Sequence, residues 1–576
     1  MQAAVKRDES PPGREHEWSH QVALQRRKAV EERKRSLAAV VYANPICMQL
    51  DQLLLKANTI DEMLGLLVTH RGVFFVHNLI TALQVLGVLY EDADVVQRSN
   101  LMADERYDVL LSDLFNFRDK LDFDSLANVI LALRQLGHKY FRLFGSYLKP
   151  LMTQPVTDLD VLLKCADAYF WAGYLKHPFY DRCADHFIDK GTLDHQQTVR
   201  MVQLFGSLEM YHARLFESTE ASILSRFQEF SPSELAGIAH GFAAHNRPKH
   251  DSLFEAVART VARHTGMFTV GELITCVCAF RRVALRFDDA LLATCDRVLS
   301  HVDLATNLRR PAGVSLTQLC GYLESLAYFG VGLGGGGEVL AVVKGVVRYL
   351  EDHLDDVSEE AATKAVFAIA VYSIAADVPY ALSFLYRKIG STPAWERERY
   401  RVFHLWLAHM IQFPWLRHNM HPRCVYEGMR TWAMHRGGFG APFIDQVHEV
   451  SSELTKLSVP HTVEYQIDAP YVLDIKLRGR RDVLLVVSEC SRNGLQPCGS
   501  TLLQLIHLRQ YGYNPIAIKR SHWRSLGAAE KAEYIEVILR DSDVPICSSA
   551  DRPGEEEEDQ GAGREGQAGA ELETGV

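Results

Sequence analysis

The sequence predicts a mostly α-helical protein, built as an α-solenoid of helical-hairpin repeats, with a small α/β domain near the C-terminus. A helical pattern recurs at intervals of 36–38 residues through much of the middle of the chain, whereas strand-like apolar runs cluster near the C-terminus. Of the 576 residues, 47% are hydrophobic, which is enough for a large core. We divide the chain into a charged N-terminal extension (1–50), the repeats (51–400), a closing helical layer and linker (401–460), the α/β domain (461–545) and a disordered acidic tail (546–576).

The N-terminal extension is strongly charged. Gln25 to Ser36 reads QRRKAVEERKRS and predicts a solvated helix. Acids at Asp8, Glu9 and Glu15 depart from the Arg-rich, acid-poor composition of a mitochondrial presequence, so no targeting signal is visible. The chain has no run of eighteen apolar residues, so no membrane span is predicted. Its eleven cysteines form no CxxC pair, which favours reduced thiols.

The repeats share one helix with a common apolar pattern. Val76 to Gly87 reads VHNLITALQVLG, and Leu126 to Gly137 reads LANVILALRQLG. Related segments begin at Leu163, Val199, Leu235, Leu273, Leu319 and, more weakly, Ala362. Starting from Leu126, the intervals between successive segments are 37, 36, 36, 38, 46 and 43 residues. A period of 36–38 residues fits two helices and two turns, and an apolar first helix is expected where neighbouring repeats cover it.

Polar residues precede several of these helices and predict their N-caps, namely Asp124-Ser125, Thr157-Asp158, Ser231-Pro232-Ser233 and Ser358-Glu359. A stack of this kind would expose an extended concave face. RNA-reading solenoids place polar residues at fixed positions, one base per repeat, but the corresponding positions here are not uniform and give no code. Binding of RNA and binding of protein by the solenoid are therefore both open.

Local motifs for cofactors, metals and catalysis are weak, and we expect no cofactor, no metal and no enzyme activity. Gly332 to Gly337 satisfies GxGxxG, but it follows a helix where a dinucleotide site needs a strand, so a loop is the better interpretation. His418, His421, Cys424 and His435 have zinc-like spacing, although such clusters are more often structural or surface residues. No set of Ser, His and Asp or of Cys and His has the context of a nucleophilic site.

The segment from Tyr471 to Leu526 predicts the α/β domain. Its elements are an alternating strand at Tyr471 to Leu477, an apolar strand at Val483 to Val487, a helix at Thr501 to Gln510 with Leu502, Leu505, Ile506 and Leu508 on one face, a third strand at Ile516 to Ile518 and a last helix at Ala528 to Leu539. Gly512 fits the end of the middle helix.

This segment resembles a RAP domain, the module at the C-terminus of many organellar RNA-associated proteins. The resemblance is carried by Asp474-Ile475, the strand Leu484 to Val487, Thr501-Leu502-Leu503, Leu508-Arg509, Tyr511-Gly512-Tyr513, the strand Ile516 to Ile518, Trp523 and Tyr534. The preceding repeats resemble the octotricopeptide-like or heptatricopeptide-like repeats found before RAP domains. The family is similar to restriction-endonuclease-like folds, in which a metal-binding acid is followed by an acid-x-lysine pair.

The chain departs from that pattern where metal chemistry would need it. Val486 and Ser488 stand where the family has acids, and no acid-x-lysine pair is present. Because a nuclease metal usually needs at least two carboxylates, Asp474 alone is insufficient, and Glu489 is out of register. The resemblance then implies a non-catalytic binder, with a divergent RNA endonuclease as an alternative.

The charge pattern suggests which residues bind RNA. Residues 471–540 carry eleven Lys and Arg against six acids, whereas residues 551–576 carry nine acids and two bases. Cations and flat rings together suit single-stranded RNA. The predicted RNA-binding residues are Arg492, Arg509, Lys519, Arg520, Trp523 and Arg524, although Trp523 could instead be a core residue.

The function implied by the resemblance is that of a mitochondrial RNA-binding protein, either a component of the mitochondrial ribosome or a factor in rRNA processing or assembly. Its partners would be RNA, in particular rRNA, and ribosomal or RNA-processing proteins. A protein-interaction scaffold is the alternative, and the net charge of −10 fits it.

Overall fold

The computed structural model describes residues 28, 30, 32–34, 45–175, 177–190, 193–245, 250–308, 313–333, 337–390, 407–408, 411–412, 422, 426, 430, 444–466, 471–487, 493 and 499–542. The chain divides into two compact units, one comprising Met1–Ser325 and Gly334–Tyr349 and the other Leu326–Leu333 and Leu350–Val576. The described part is mostly helical, with one four-stranded sheet toward the C-terminus. The predicted fold class is confirmed at this level.

Most of the helices precede the sheet. They are α1 (Pro45–Leu55), α2 (Ile60–His70), α3 (Val76–Asp92), α4 (Val95–Met102), α5 (Glu105–Phe117), α6 (Phe123–Gln135), α7 (Phe141–Thr153), α8 (Leu159–Ala172), α9 (Pro178–Lys190), α10 (His195–Ser207), α11 (Ala213–Ser225), α12 (Pro232–Ala243), α13 (Asp251–His264), α14 (Val270–Arg282), α15 (Asp288–Leu308), α16 (Leu316–Phe329), α17 (Gly337–Glu351), α18 (Glu359–Val371) and α19 (Pro379–Gly390). Each recurring segment of the sequence lies on one of them, and the described residues from 126 to 300 form no strand.

Helices of the first unit pack in two rows. In the first row α3 packs on α6, α6 on α8, α8 on α10, α10 on α12, and α12 on α14. In the second row α5, α7, α9, α11, α13 and α15 contact one another in the same succession. The helices of the first row carry the repeated apolar pattern. Most of their sides are apolar because they pack on their neighbours in the row.

Each first-row helix from α6 to α14 begins with an N-terminal cap of the same kind, and so do α16 and α18. A side-chain oxygen accepts a main-chain N–H of the first turn at 2.7–3.4 Å; the capping residues are Asp122, Asp158, Asp194, Ser231, Thr269, Ser315 and Ser358. Such caps satisfy N–H groups that have no partner inside the helix. The caps expected within Thr157-Asp158, Ser231-Pro232-Ser233 and Ser358-Glu359 are confirmed at Asp158, Ser231 and Ser358. The cap of α6 is Asp122 and not Asp124-Ser125.

A left-handed residue ends most of the same helices. The φ angles of Gly137, Gly173, Glu209, Ala284, Gly330 and Ser373 lie between 53° and 95°. In every case the N–H of the following residue donates to the carbonyl five positions back, for example Tyr174 to Tyr169 at 3.0 Å. This is the Schellman arrangement, which satisfies the last carbonyls of a helix. The recurrence therefore extends from the apolar pattern to both helix ends.

The sheet lies in the second unit. Helix α20 (Ile444–Lys456) precedes β1 (His461–Gln466), β2 (Val472–Leu477) and β3 (Asp482–Val487), which are followed by α21 (Gly499–Gln510), β4 (Asn514–Lys519), α22 (Arg520–Ser525) and α23 (Ala528–Asp541). The strand order is β1-β2-β3-β4. β1, β2 and β3 are antiparallel, and β3 and β4 are parallel, joined by α21. The predicted strands are present, and β1 is a fourth strand that the sequence did not predict.

One face of the sheet packs on α20 and α23. Ile475, Leu484 and Ile518, from β2, β3 and β4 in turn, share a core with Val447 and Leu454 of α20, and with Ile535 and Leu539 of α23. Helix α21 contacts β4 and, on another side, α18. Because α21 is covered on two sides, Leu503 and His507 are fully buried, while Leu502 and Ile506 of the predicted apolar face are only partly buried.

Candidate nucleic-acid interface

Lys519, Arg520 and Arg524 follow the last strand. Lys519 ends β4 and pairs in register with Val487 at the end of β3, so the carboxyl ends of two parallel strands lie side by side. Lys519 and Arg520 are partly exposed, and Arg524 is exposed. We call these three cations the strand-exit surface. Ligands of α/β sheets usually bind beyond the carboxyl ends of strands, so the position suits a binding role. Arg492 and Glu489 lie outside the described residues.

Trp523 lies in the core next to this surface. Its side chain is 0% exposed, and Nε1 donates to Oε2 of Glu449 at 2.9 Å. Lys531 Nζ lies 2.7 Å from the same oxygen and 5.0 Å from the centre of the Trp523 ring. The hydrogen bond from Lys531, followed by that from Trp523, holds the pKa of Glu449 below its usual value. The indole therefore joins α22 to α20 and presents no exposed face to a base, which is the core alternative left open by the sequence.

Arg509 lies at the opposite end of β4 from the strand-exit surface, at the edge of the sheet where β3 and β4 begin. Helix α21 runs back from the end of β3 to the start of β4, and Arg509 lies in its last turn. Gly512 follows with φ 78°, and its N–H donates to the Arg509 carbonyl at 3.0 Å. The six residues of β4 span about 17–20 Å, so Arg509 and Lys519 are not in one cluster. The grouping of Arg509 with Lys519, Arg520 and Arg524 by sequence is not reproduced in space.

Three further arginines lie at the edge that holds Arg509. Arg478, Arg480 and Arg481 form the turn between β2 and β3, together with Gly479, whose φ is 69°. Arg481 Nη1 donates to the Gly512 carbonyl at 3.5 Å, and its own carbonyl accepts the Asn514 N–H at 2.9 Å. None of these three arginines is among the RNA-binding residues predicted from the sequence, although the run RGRR at residues 478–481 was the available signal.

Asp474 is the one described carboxylate at the position expected for a nuclease acid. It is 9% exposed, and Oδ2 accepts the main-chain N–H of Val486 at 2.7 Å. Burial raises its pKa to about 6, against the opposing effect of the Val486 hydrogen bond, and nearby Glu464 adds to the rise. The carboxylate is thus engaged with the backbone of the neighbouring strand.

The first-row helices carry charges that pair between repeats. Arg200 of α10 lies 2.7 Å from Asp160 and 3.6 Å from Asp167, both on α8. Asp167 is also 3.9 Å from Arg134 of α6, and Lys164 is 2.7 Å from Asp160. These side chains on the repeats therefore neutralise one another across three consecutive first-row helices.

Within the described part of the chain, no group of three or more His, Cys, Asp and Glu side chains could hold a metal ion. Likewise, no described helix is long and apolar enough to cross a membrane. The cluster of His418, His421, Cys424 and His435 is outside the described residues, as are residues 334–336 of the Gly332 to Gly337 segment.

Comparison of the chain with models of known protein families gives no match. Comparison with curated proteins by sequence also gives no match.

Proposed function

We propose that this protein is a non-catalytic RNA-binding protein of mitochondria, in which an α-solenoid precedes a RAP-like α/β module. The observation that carries the RNA-binding part is the strand-exit surface, where Lys519, Arg520 and Arg524 meet the carboxyl ends of two parallel strands. Cations placed there suit the phosphates of single-stranded RNA. Mitochondrial location, and a role in the mitochondrial ribosome or in rRNA processing or assembly, rest on the resemblance of the sequence.

The solenoid part of the proposal is supported by recurrence at three levels. The apolar helix pattern, the polar N-cap and the left-handed end return together in successive units. The first-row helices also contact their neighbours in order, as expected of a stack of repeats.

The RNA-binding proposal predicts that the strand-exit surface contributes to the salt dependence of binding. The probe is a single-stranded RNA of about 20 nucleotides, titrated by fluorescence anisotropy between about 50 and 300 mM KCl, a range over which phosphate contacts weaken measurably. Replacing Lys519, Arg520 and Arg524 by Gln should lower the slope of log K against log salt by up to about two, at ~0.7 per contact. Folding should persist because all three side chains reach solvent at least in part, and surface charges contribute little stability.

The matched control removes cations elsewhere in the same module. Lys456 and Arg540 are exposed on α20 and α23, and each pairs with a nearby acid. Lys456→Gln/Arg540→Gln should leave the slope unchanged. A strand-exit variant that folds and binds with wild-type affinity and slope would remove this surface from the interface.

The proposal of a non-catalytic protein has its own test. Incubation of the purified protein and RNA with magnesium should give no cleavage that depends on Asp474. Cleavage that requires magnesium and disappears in Asp474→Asn would support the divergent endonuclease instead.

A protein-interaction scaffold is the second candidate, and it is favoured by the repeats. The pairing of Arg134, Asp167, Arg200 and Asp160 leaves few uncompensated charges for phosphates on these helices. Val95 and Val96 at the start of α4 are 81% and 66% exposed, so apolar surface is available to a protein partner. A scaffold would show no salt-dependent RNA retention, and RNA crosslinked to the protein in the native organelle would argue against it.

A further inference from the structure

The turn between β2 and β3 and the turn between α21 and β4 lie together at the edge of the sheet opposite the strand-exit surface. Arg478, Arg481 and Arg509 are exposed there, and Tyr511 is 45% exposed. We call these four residues the hairpin-end surface. They come from two separate segments of sequence that are brought together by the pairing of Asp482 with Asn514 in the β3–β4 ladder.

Hydrogen bonds fix the two turns to each other. Asn514 Nδ2 donates to Asp482 Oδ1 at 2.8 Å, while Arg480 Nε donates to Asp482 Oδ2 at 2.7 Å. The main-chain N–H of Asn514 donates to the Arg481 carbonyl at 2.9 Å. A Cβ on Gly512 would lie 2.7 Å from Arg481 Nη1, so the turn approaches this guanidinium closely. The arginines therefore project from an ordered backbone.

The charge of this surface is not compensated by the described residues around it. Asp482 is buried and already pairs with Arg480, leaving Arg478, Arg481 and Arg509 without a described carboxylate within 4.0 Å. Three exposed cations on two adjoining turns favour a polyanion, because each phosphate they neutralise releases counterions. The half-exposed ring of Tyr511 adds a flat surface on which an unstacked base can lie.

We propose that the hairpin-end surface is a second RNA-binding site of the module, contacting the phosphates of single-stranded RNA through Arg478, Arg481 and Arg509 and a base through Tyr511. The inference rests on the proposed RNA-binding function and extends it to a second edge of the sheet. The two surfaces are separated by the length of β4, about 17–20 Å, which exceeds the Debye length of about 8 Å at physiological salt. Their contributions to binding should therefore be separable.

The experiment compares two triple variants by the same titration of single-stranded RNA. Arg478→Gln/Arg481→Gln/Arg509→Gln should reduce the salt slope by up to about two and weaken binding on the order of 100-fold at 0.1 M salt, at ~0.7 per phosphate contact. Arg480 is kept because its loss would remove the cationic partner of buried Asp482. The sextuple variant that also lacks the strand-exit cations should lose affinity by approximately the product of the two separate losses, since the surfaces are independent.

A separate variant tests the base contact. Tyr511→Leu should weaken binding by about 5- to 150-fold with the slope unchanged, because stacking is worth ~1–3 kcal/mol and involves no counterion release. Lys456→Gln/Arg540→Gln again serves as the charge control.

The outcomes separate this inference from the function on which it rests. Wild-type protein that shows no salt-dependent RNA binding overturns both. RNA binding that is normal in the hairpin-end variant overturns the second site alone, as does a charge control that loses the same affinity. If the triple variant does not fold, Arg478→Gln, which removes one exposed side chain, should still lower the slope by about 0.7, and an unchanged slope would count against the site.

Discussion

The carboxylate of Asp474 on β2 accepts the main-chain N–H of Val486 on β3 at a distance of 2.7 Å. The β2–β3 pairs next to it along the strands are Ile475–Leu484 and Lys476–Val483. The side chain thus takes the place of a main-chain acceptor near the end of this ladder. A buried carboxylate with this environment is less readily ionised than an exposed one, and its pKa is raised to about 6.

This arrangement predicts an unusual pH dependence of stability. Because the pKa of Asp474 is higher in the folded state, about 6, than its ordinary value of 3.8, the folded protein binds a proton more tightly in this range. The stabilisation from this group is fully present below pH 3.8 and is lost as the pH rises through 6. The loss by pH 7 is on the order of 3 kcal/mol as an upper value, at ~1.4 kcal/mol per pKa unit.

Asp474→Asn tests this expectation, since its amide oxygen can still accept the Val486 N–H without carrying charge. Urea unfolding monitored in the α/β module should show the variant to be more stable than wild type at pH 7.5 and equally stable near pH 4. A variant that is less stable at pH 7.5 would show instead that the ionised carboxylate is favourable in the folded state.

Substitutions of Trp523 should affect folding before they affect RNA binding. Trp523→Ala should destabilise the α/β module by about 3–5 kcal/mol, as expected for loss of a buried aromatic side chain. Trp523→Phe keeps most of the packing but removes the donor to Glu449, so a smaller loss of about 1–2 kcal/mol is expected. Under conditions where Trp523→Phe is fully folded, its RNA affinity should equal that of wild type; a large loss of affinity would restore Trp523 as a base-stacking residue.

The parts of the fold that depend on local pattern could be predicted from the sequence. The alternation before Leu477 and the apolar run from Val483 to Val487 predicted β2 and β3, because side chains on a strand alternate between its faces. The recurring helix was visible because each copy is buried by its neighbours. β1 was missed because HTVEYQ is short and partly polar, and it becomes a strand only by pairing with β2.

Positions that depend on tertiary structure could not be predicted in the same way. Arg509 and Lys519 are ten residues apart, yet α21 and β4 place them at opposite edges of the sheet. Conversely, Arg481 and Gly512 are far apart in sequence and meet because β3 and β4 pair in parallel. The cap of α6 was also ambiguous in the sequence, since Asp122 and Asp124 are both of a residue type that favours N-caps, and only the hydrogen bond that Asp122 accepts from the Ser125 N–H identifies the cap.

The left-handed residue that follows these helices predicts opposite changes in stability for two substitutions. Gly173 has φ 95° and Ala284 has φ 54° at equivalent ends of α8 and α14. A non-glycine residue in this conformation costs roughly 1–2 kcal/mol, so Ala284→Gly should stabilise the first unit and Gly173→Ala should destabilise it by about 1 kcal/mol each. No atom lies within 4 Å of a Cβ built on Gly173, so backbone strain, and not a clash, is the cause. Thermal unfolding of both variants checks the signs, and equal signs would contradict the assigned backbone.

Close packing of α10 on α12 gives the most direct test of the repeat stack. A Cβ on Gly241 would lie 2.5 Å from the Val202 carbonyl oxygen, and one on Gly206 would lie 2.6 Å from the Gly241 Cα. Since main-chain atoms are involved, the helices must separate to admit an alanine, at a cost of about 1–3 kcal/mol that exceeds the ~1 kcal/mol gain in helix propensity. Gly241→Ala should therefore destabilise the unit. Gly271→Ala, also in a first-row helix but with open space around its Cβ, should be neutral or slightly stabilising. Hydrogen exchange should report faster opening of α10 and α12 in Gly241→Ala, and unchanged exchange there would show that these two helices do not pack as closely as the structure places them.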